Sequence, residues 1–149
     1  MAQTFPLQSL LELMQSKSDD ATRKLGQLIA AEQSQRSRLE MLEQYREEYA
    51  QRLRDAISQG ITQLSLRNYQ NFLERIDDAI TQQRQVVQNS EHSTKTGQEH
   101  WHKQNKRLKA INTLSVRHDM KVHELENKQE QKILDEFSSR RYQTSQKED

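Results

Sequence analysis

The side chains best suited to chemistry cluster near residue 100, where His100 and His102 flank Trp101 and His92 lies a short way upstream. A helical metal site prefers ligands three or four residues apart, whereas His100 and His102 point to different sides of a helix. His118 falls at an interface position, which favours a packed residue over a catalytic base. We therefore expect two solvated histidines beside a packed tryptophan, and no metal site.

Other catalytic arrangements are missing from the sequence. It contains no glycine-rich phosphate loop and no nucleophile elbow, and the absence of cysteine excludes thiolate ligands and disulfides. Only 32% of the residues are apolar and 30% are charged, too polar a composition to enclose a broad pocket. We expect no enzyme activity, no catalytic residues and no cofactor.

Five basic residues follow Glu99 with no acidic residue before Asp119. They are Lys103, Lys106, Arg107, Lys109 and Arg117. Three partners suit such a run: nucleic acid, an anionic membrane surface or an acidic protein. A DNA-binding zipper places its basic residues beyond the end of its seam, whereas the repeat here passes through them. We expect no nucleic acid partner; the run is either a solvated basic face or a protein contact.

A second group of residues, rich in aromatic and aliphatic side chains, lies at steps of three, four and seven. It comprises Leu42, Tyr45, Tyr49, Phe72, Ile76, Ala79 and Gln83. Tyr45 and Phe72 fall outside the predicted interface, so an aromatic patch left on the surface is one interpretation. The alternative, with equal support, is interface packing that widens locally.

These residues belong to long helices. Along residues 66–137, apolar and small side chains recur at alternating steps of four and three. Their mean spacing of about 3.5 residues is that of a helix that supercoils around a partner. A helix of about seventy residues would be roughly 105 Å long, longer than a compact domain. A similar repeat runs from Leu7 to Ala56. We call the positions of these repeats, which would face the partner helix, the seam; in this first repeat eleven of fifteen seam positions are apolar or aromatic.

The break between the repeats predicts a helical hairpin. Gly60 can end the first helix and Ser65 can cap the second, so the two helices become antiparallel neighbours. We predict an all-α, monomeric, two-helix antiparallel coiled coil in a single domain over residues 1–149. Its expected bounds are a helix at about 5–57, a turn at 58–65, a helix at 66–140 and a disordered tail at 141–149.

The hairpin register pairs Leu28 with Gly97 and leaves the second helix longer than the first. Since Leu7 is expected opposite His118, everything after about Met120 should overhang. The overhang carries an apolar stripe, which indicates a surface that binds a partner. Its residues are Val122, Leu125, Ile133, Leu134 and Phe137. The alternative is a frayed tail.

The sequence resembles the flagellar export protein FliJ family, soluble components of the flagellar type III secretion apparatus. The resemblance spans nearly the whole chain, from Pro6-Leu7 to the charged tail. Its more specific parts are Leu42-Glu43-Gln44-Tyr45-Arg46-Glu47-Glu48-Tyr49 and Asn68-Tyr69-Gln70-Asn71-Phe72-Leu73-Glu74-Arg75-Ile76. The resemblance implies a stalk-like coiled coil, similar to the central stalk of rotary ATPases.

The resemblance also implies partners. The terminal helices of the family enter the hexameric export ATPase ring, which points to Leu7 and Leu11 together with the overhang. The residues that match the family's binding surface for the export-gate membrane protein are Leu42, Tyr45, Tyr49, Phe72, Ile76, Ala79 and Gln83. Export chaperones are a third expected class of partner. The equivalent stalk of a virulence injectisome and a general scaffold coiled coil remain alternatives.

No apolar run approaches the ~20 residues of a membrane span, and Met1 to Met14 lacks the features of a secretory signal. We expect a cytoplasmic protein without direct membrane insertion. It would associate peripherally with the inner membrane through the export apparatus.

Overall fold

Two long helices form the described part of the chain, residues 4–147 of a computed structural model. Helix α1 spans Gln8–Gln59, with 52 residues, and α2 spans Gln63–Lys147, with 85 residues. No strand occurs between residues 4 and 147. The two helices pack against each other, which confirms the predicted all-α helical hairpin.

The ends of α1 follow the local sequence. A turn precedes the helix, in which the Gln8 amide donates to the Phe5 carbonyl oxygen at 3.1 Å, and α1 begins at Gln8 rather than near residue 5. At the other end, the Gly60 amide donates to the Ile57 carbonyl oxygen at 3.1 Å. Gly60 has φ of +88°, a conformation that glycine adopts without a Cβ clash, so it ends α1 as predicted.

The connection between the helices is shorter than the predicted 58–65. Only residues 60–62 separate the two helices, because Thr62 caps α2 in place of Ser65. The Thr62 hydroxyl oxygen accepts a hydrogen bond from the Ser65 amide at 3.1 Å, and the Thr62 carbonyl oxygen accepts one from the Leu66 amide at 3.0 Å. A side-chain acceptor for an amide of the first turn is what an N-cap supplies.

The end of α2 also differs from expectation. The tail from residue 141 was expected to be disordered, yet α2 continues to Lys147; residues 148 and 149 lie outside the described chain. Thr144 donates its hydroxyl to the Arg140 carbonyl oxygen at 2.9 Å, and Gln146 donates to the Tyr142 hydroxyl at 3.0 Å. Both contacts span one helical turn.

Contacts divide the chain into two units, so the prediction of a single domain stays a prediction. One unit, Asp19–Lys103, contains the turn. Its buried apolar side chains are Ala21, Ile76, Ile80 and Val87. Two polar seam residues pair here. The side-chain amide Nε2 of Gln83 donates to the backbone carbonyl oxygen and to the side-chain oxygen of Gln35, both at 2.9 Å. This half-buried polar pair in the seam is therefore hydrogen-bonded.

The other unit combines the residues up to Ser18 with those from Gln104 onward. Ser18 and Gln104 are buried, at 6% and 7% exposure. Phe5 packs on His118, with ring centroids 5.4 Å apart, in the place expected for Leu7, which is 41% exposed. The turn before α1 lets Phe5 reach this contact. From His123 to Lys147 every residue is exposed, as expected of an overhang.

At Gly97 the helices pack closely, against Leu28 as predicted. A Cβ atom added at Gly97 would lie 2.5 Å from Leu28 Cδ1, whereas one at Gly26 would have no neighbour within 4 Å. Glycine in a helix costs about 1 kcal/mol relative to alanine. At Gly97, displacing Leu28 offsets that gain, because overpacking costs about 1 to 3 kcal/mol.

We predict that Gly26→Ala raises the free energy of unfolding by up to about 1 kcal/mol, and that Gly97→Ala gives no gain or a loss. Chemical denaturation followed by circular dichroism measures both variants. Gly26→Ala is the matched control for helix propensity. Equal stabilisation by the two substitutions would contradict the close packing of Leu28 on Gly97.

Candidate partner-binding surfaces

Four aromatic side chains, Tyr45, Tyr49, Tyr69 and Phe72, form a cluster near the turn, hereafter the aromatic cluster. Its closest pair is Tyr49 and Phe72, with ring centroids 4.3 Å apart and ring planes at 43°. Tyr69 also packs on Tyr49, with ring centroids 5.3 Å apart. Tyr45 meets Phe72 edge to face at 6.2 Å and 72°. These tilted and edge-to-face geometries are the ones that aromatic pairs favour.

The aromatic cluster is only partly a surface. Tyr45 is 44% exposed, whereas Tyr49, Tyr69 and Phe72 are half-buried. Phe72 therefore takes part in the packing between the helices, in line with the widened-interface alternative. The periodicity missed this role because two aromatic rings beside the turn extend the contact beyond the two seam positions in seven. Tyr69 also belongs to the cluster, although it was not among the residues predicted for this face.

The other predicted residues of this face differ in accessibility. Ile76 is buried, with 6% exposure, and packs in the seam. Leu42, Ala79 and Gln83 are half-buried, and the Gln83 amide is engaged with Gln35. Tyr45 is therefore the member of the predicted gate-binding set most open to a partner.

Ion pairs lie beside the aromatic cluster. Arg46 donates Nε to Asp77 Oδ1 and Nη2 to Asp77 Oδ2, and Arg84 lies 3.5 Å from Glu43. The hydrogen bond from Arg46 lowers the pKa of Asp77 below its ordinary value and raises the pKa of Arg46. The contribution of the pair to stability is therefore present above the ordinary aspartate pKa and is lost as the pH falls through the lowered pKa.

The second candidate surface is the C-terminal extension, which we define as residues 123–147. Large apolar side chains are well exposed there: Leu125 at 54%, Ile133 at 65%, Leu134 at 60% and Phe137 at 62%. Val122 and Leu11 are half-buried. Single exposed apolar residues are ordinary, but several along one unpaired helix mark a contact surface.

Near position 100, His92 and His100 line one groove beside Gly97, whereas Trp101 packs between the helices. Trp101 donates its indole N–H to the Thr22 hydroxyl at 2.8 Å, which ties α2 to α1. His92, His100 and His102 are exposed. Within residues 4–147, no three His, Cys, Asp or Glu side chains come together as a potential metal site. Lys103, Lys106, Arg107, Lys109 and Arg117 are exposed along α2.

Comparison with known proteins gives matches over nearly the whole chain. The family model described as "Flagellar FliJ protein" matches residues 3–147. The Flagellar FliJ protein of Escherichia coli strain K12 is 34% identical over 140 residues, which cover 94% of this chain and 95% of that protein. The Flagellar FliJ protein of Salmonella typhi is 32% identical over the same shares. The chain belongs to the flagellar FliJ family.

Membership in the FliJ family makes the chain a flagellar, export-related protein and confirms the resemblance seen in the sequence. The names of its relatives carry no enzymatic activity. Neither described helix has a stretch long and apolar enough to cross a membrane. The family match covers both candidate surfaces, the aromatic cluster and the C-terminal extension.

Within the aromatic cluster, the half-buried Phe72 should contribute more to stability than the more exposed Tyr45. We predict that Phe72→Ala lowers the free energy of unfolding by about 2 kcal/mol, roughly half the cost of removing a fully buried ring, because Phe72 packs on Tyr49. Tyr45→Ala should cost less than about 1 kcal/mol. Denaturation of the two variants under identical conditions measures the difference. An equal loss of stability would show that Tyr45 is as much a packing residue as Phe72.

Proposed function

We propose that this FliJ family member is a non-enzymatic stalk of the flagellar type III export apparatus. Its C-terminal extension enters the hexameric export ATPase ring, and the face around Tyr45 binds the cytoplasmic domain of the export-gate membrane protein. The observation that carries the proposal is the long extension of α2, whose apolar side chains have no cover within the described chain.

The distribution of apolar side chains around the extension favours an enclosing partner. At roughly 100° per residue, Leu134 lies about 100° round the helix from Ile133, and Tyr142 lies on the side opposite to Ile133. Tyr142 is 66% exposed. A groove covers one face of a helix, whereas a bore covers all of them. Burial of one large apolar side chain is worth about 1.5 to 3 kcal/mol, so a ring gains from several faces at once.

The N-terminus contributes less to the ring contact. Leu7 is 41% exposed and lies in the same unit as the extension, while Leu11 is already half-buried against the seam. Leu7 is thus the residue of this pair with apolar surface left for the ATPase. The ring contact as a whole rests on α2.

The gate contact rests on Tyr45. A half-exposed tyrosine that is held edge to face by Phe72 presents a rigid ring and a hydroxyl, the combination that recurs at protein interfaces. Leu42 and Ala79 supply half-buried apolar surface on the same face. Ile76 is buried in the seam and supports this face from within.

The stalk couples the ATPase to the gate and handles export chaperones, without hydrolysing ATP itself. It acts in the cytoplasm as a monomer when bound in the ring, and associates with the inner membrane only through its partners. The basic run from Lys103 to Arg117 has no assigned role in this proposal.

If the C-terminal extension makes the ring contact, its removal should abolish ATPase stimulation without unfolding the hairpin. Removal of residues 123–149 should leave the hairpin folded, because residues 123–147 are exposed and make no described contact with α1. Stimulation of the purified export ATPase by the truncated protein should fall to the basal rate. A steady-state ATPase assay checks this. Full stimulation by the truncated protein would refute the stalk proposal.

Point variants separate the two contacts. Tyr45→Ala should weaken binding to the gate's cytoplasmic domain by tenfold or more, since hot-spot aromatics are worth about 2 kcal/mol, and should leave ATPase stimulation unchanged. Ile133→Ser with Phe137→Ser should have the opposite pattern. Calorimetric titration with the gate domain and the ATPase assay measure both. If each variant impaired both activities equally, the two surfaces would not be separate sites.

A further inference from the structure

In the C-terminal extension, one pair of opposite charges lies at equal distances on either side of Ile133. Glu126 lies seven residues before Ile133, and Arg140 lies seven residues after it. Seven residues are nearly two helical turns, so all three side chains lie within about 20° of one line along the helix. That line is the middle of the exposed apolar stripe, flanked by Phe137 on one side and Leu125 on the other.

Glu126 and Arg140 cannot satisfy each other within one chain. They are fourteen residues apart, which is about 21 Å along a helix at about 1.5 Å per residue. Both are exposed, and the ion pairs recorded within residues 4–147 include neither of them. A second extension that runs antiparallel, with its Ile133 against the first, would place each Glu126 opposite the Arg140 of the other copy.

We propose that two copies of this chain associate through antiparallel pairing of their C-terminal extensions about a twofold axis at Ile133. The interface is isologous: the same stripe serves both copies, and the Glu126 to Arg140 contact is made twice. The charges fix the antiparallel direction, because a parallel pair would set Glu126 against Glu126 and Arg140 against Arg140. Ile133 and Phe137 provide the apolar centre.

The size of the stripe sets the strength of the association. The 25 residues from 123 to 147 give a strip about 37 Å long and about 10 Å wide, on the order of 800 Å² of buried surface in total. Stable complexes bury about 1,200 Å² or more, so the dimer is weak, forms at high protein concentration and dissociates as salt screens its charges.

The native chain lacks cysteine, so one introduced thiol reports on the interface. Ile133→Cys places a thiol at the twofold axis, and oxidation should link two copies by a disulfide. Gln131→Cys is the matched control, because Gln131 lies on the same exposed helix but about 160° round it. We expect cross-linking of Ile133→Cys to be at least fivefold faster. Equal rates would mean random collision and would overturn the proposal.

Charge swaps test the direction of pairing. In the Ile133→Cys background, Glu126→Arg alone and Arg140→Glu alone should each reduce cross-linking at least fivefold, since each creates two like-charge contacts. A mixture of the two, with a size tag on one, should restore the mixed product, because both of its contacts are then opposite in sign. A mixture no better than either variant alone would refute the antiparallel pair. Preferential pairing of Glu126→Arg with unswapped Glu126 would refute it in favour of a parallel one.

These measurements use purified full-length protein without the ATPase. Their outcome therefore does not depend on the proposed stalk function, and either proposal can fail alone.

Discussion

The seam between α1 and α2 is the interaction on which both helices depend. Each helix offers the seam about two positions in seven, and between residues 4 and 147 only Ala21, Ile76, Ile80 and Val87 are apolar and buried. Most seam side chains are half-buried, so stability is spread thinly along the helices. A fold of this kind tolerates change on its outer faces, and those faces are then free to bind partners.

The seam also explains the properties of the C-terminal extension. Beyond Val122 no α1 residue lies opposite α2, so helix propensity and local pairs alone support the extension. Lys128 lies 3.6 Å from Glu124, and Gln131 donates to Asp135 at 3.2 Å. Each such pair contributes about 0.2 to 0.5 kcal/mol, and a single helix in water is marginal. A partner that buries the apolar stripe therefore also stabilises the helix that carries it.

The sequence predicted the seam well and its edges less well. The alternating steps of four and three placed Leu28 against Gly97, because supercoiled packing depends directly on that period. The choice between Thr62 and Ser65 as the cap depended on turn geometry, since both residue types cap helices. The last part of α2, up to Lys147, was not predicted. The prediction relied on a periodic pattern of apolar residues, which an exposed helix does not require. At the aromatic cluster, the sequence located Tyr45 and Phe72, but spacing alone could not show that Phe72 packs on Tyr49.

The two uses proposed for the C-terminal extension exclude each other, because both need Ile133 and Phe137. They differ in how much apolar surface they cover. A second copy covers one face, whereas a ring that encloses the helix also reaches Leu134 and Tyr142, which lie away from that face. Each further apolar side chain that the ring buries adds free energy that the dimer cannot match. The dimer would therefore protect the stripe while the chain is free, and would yield to the ring once the ATPase assembles.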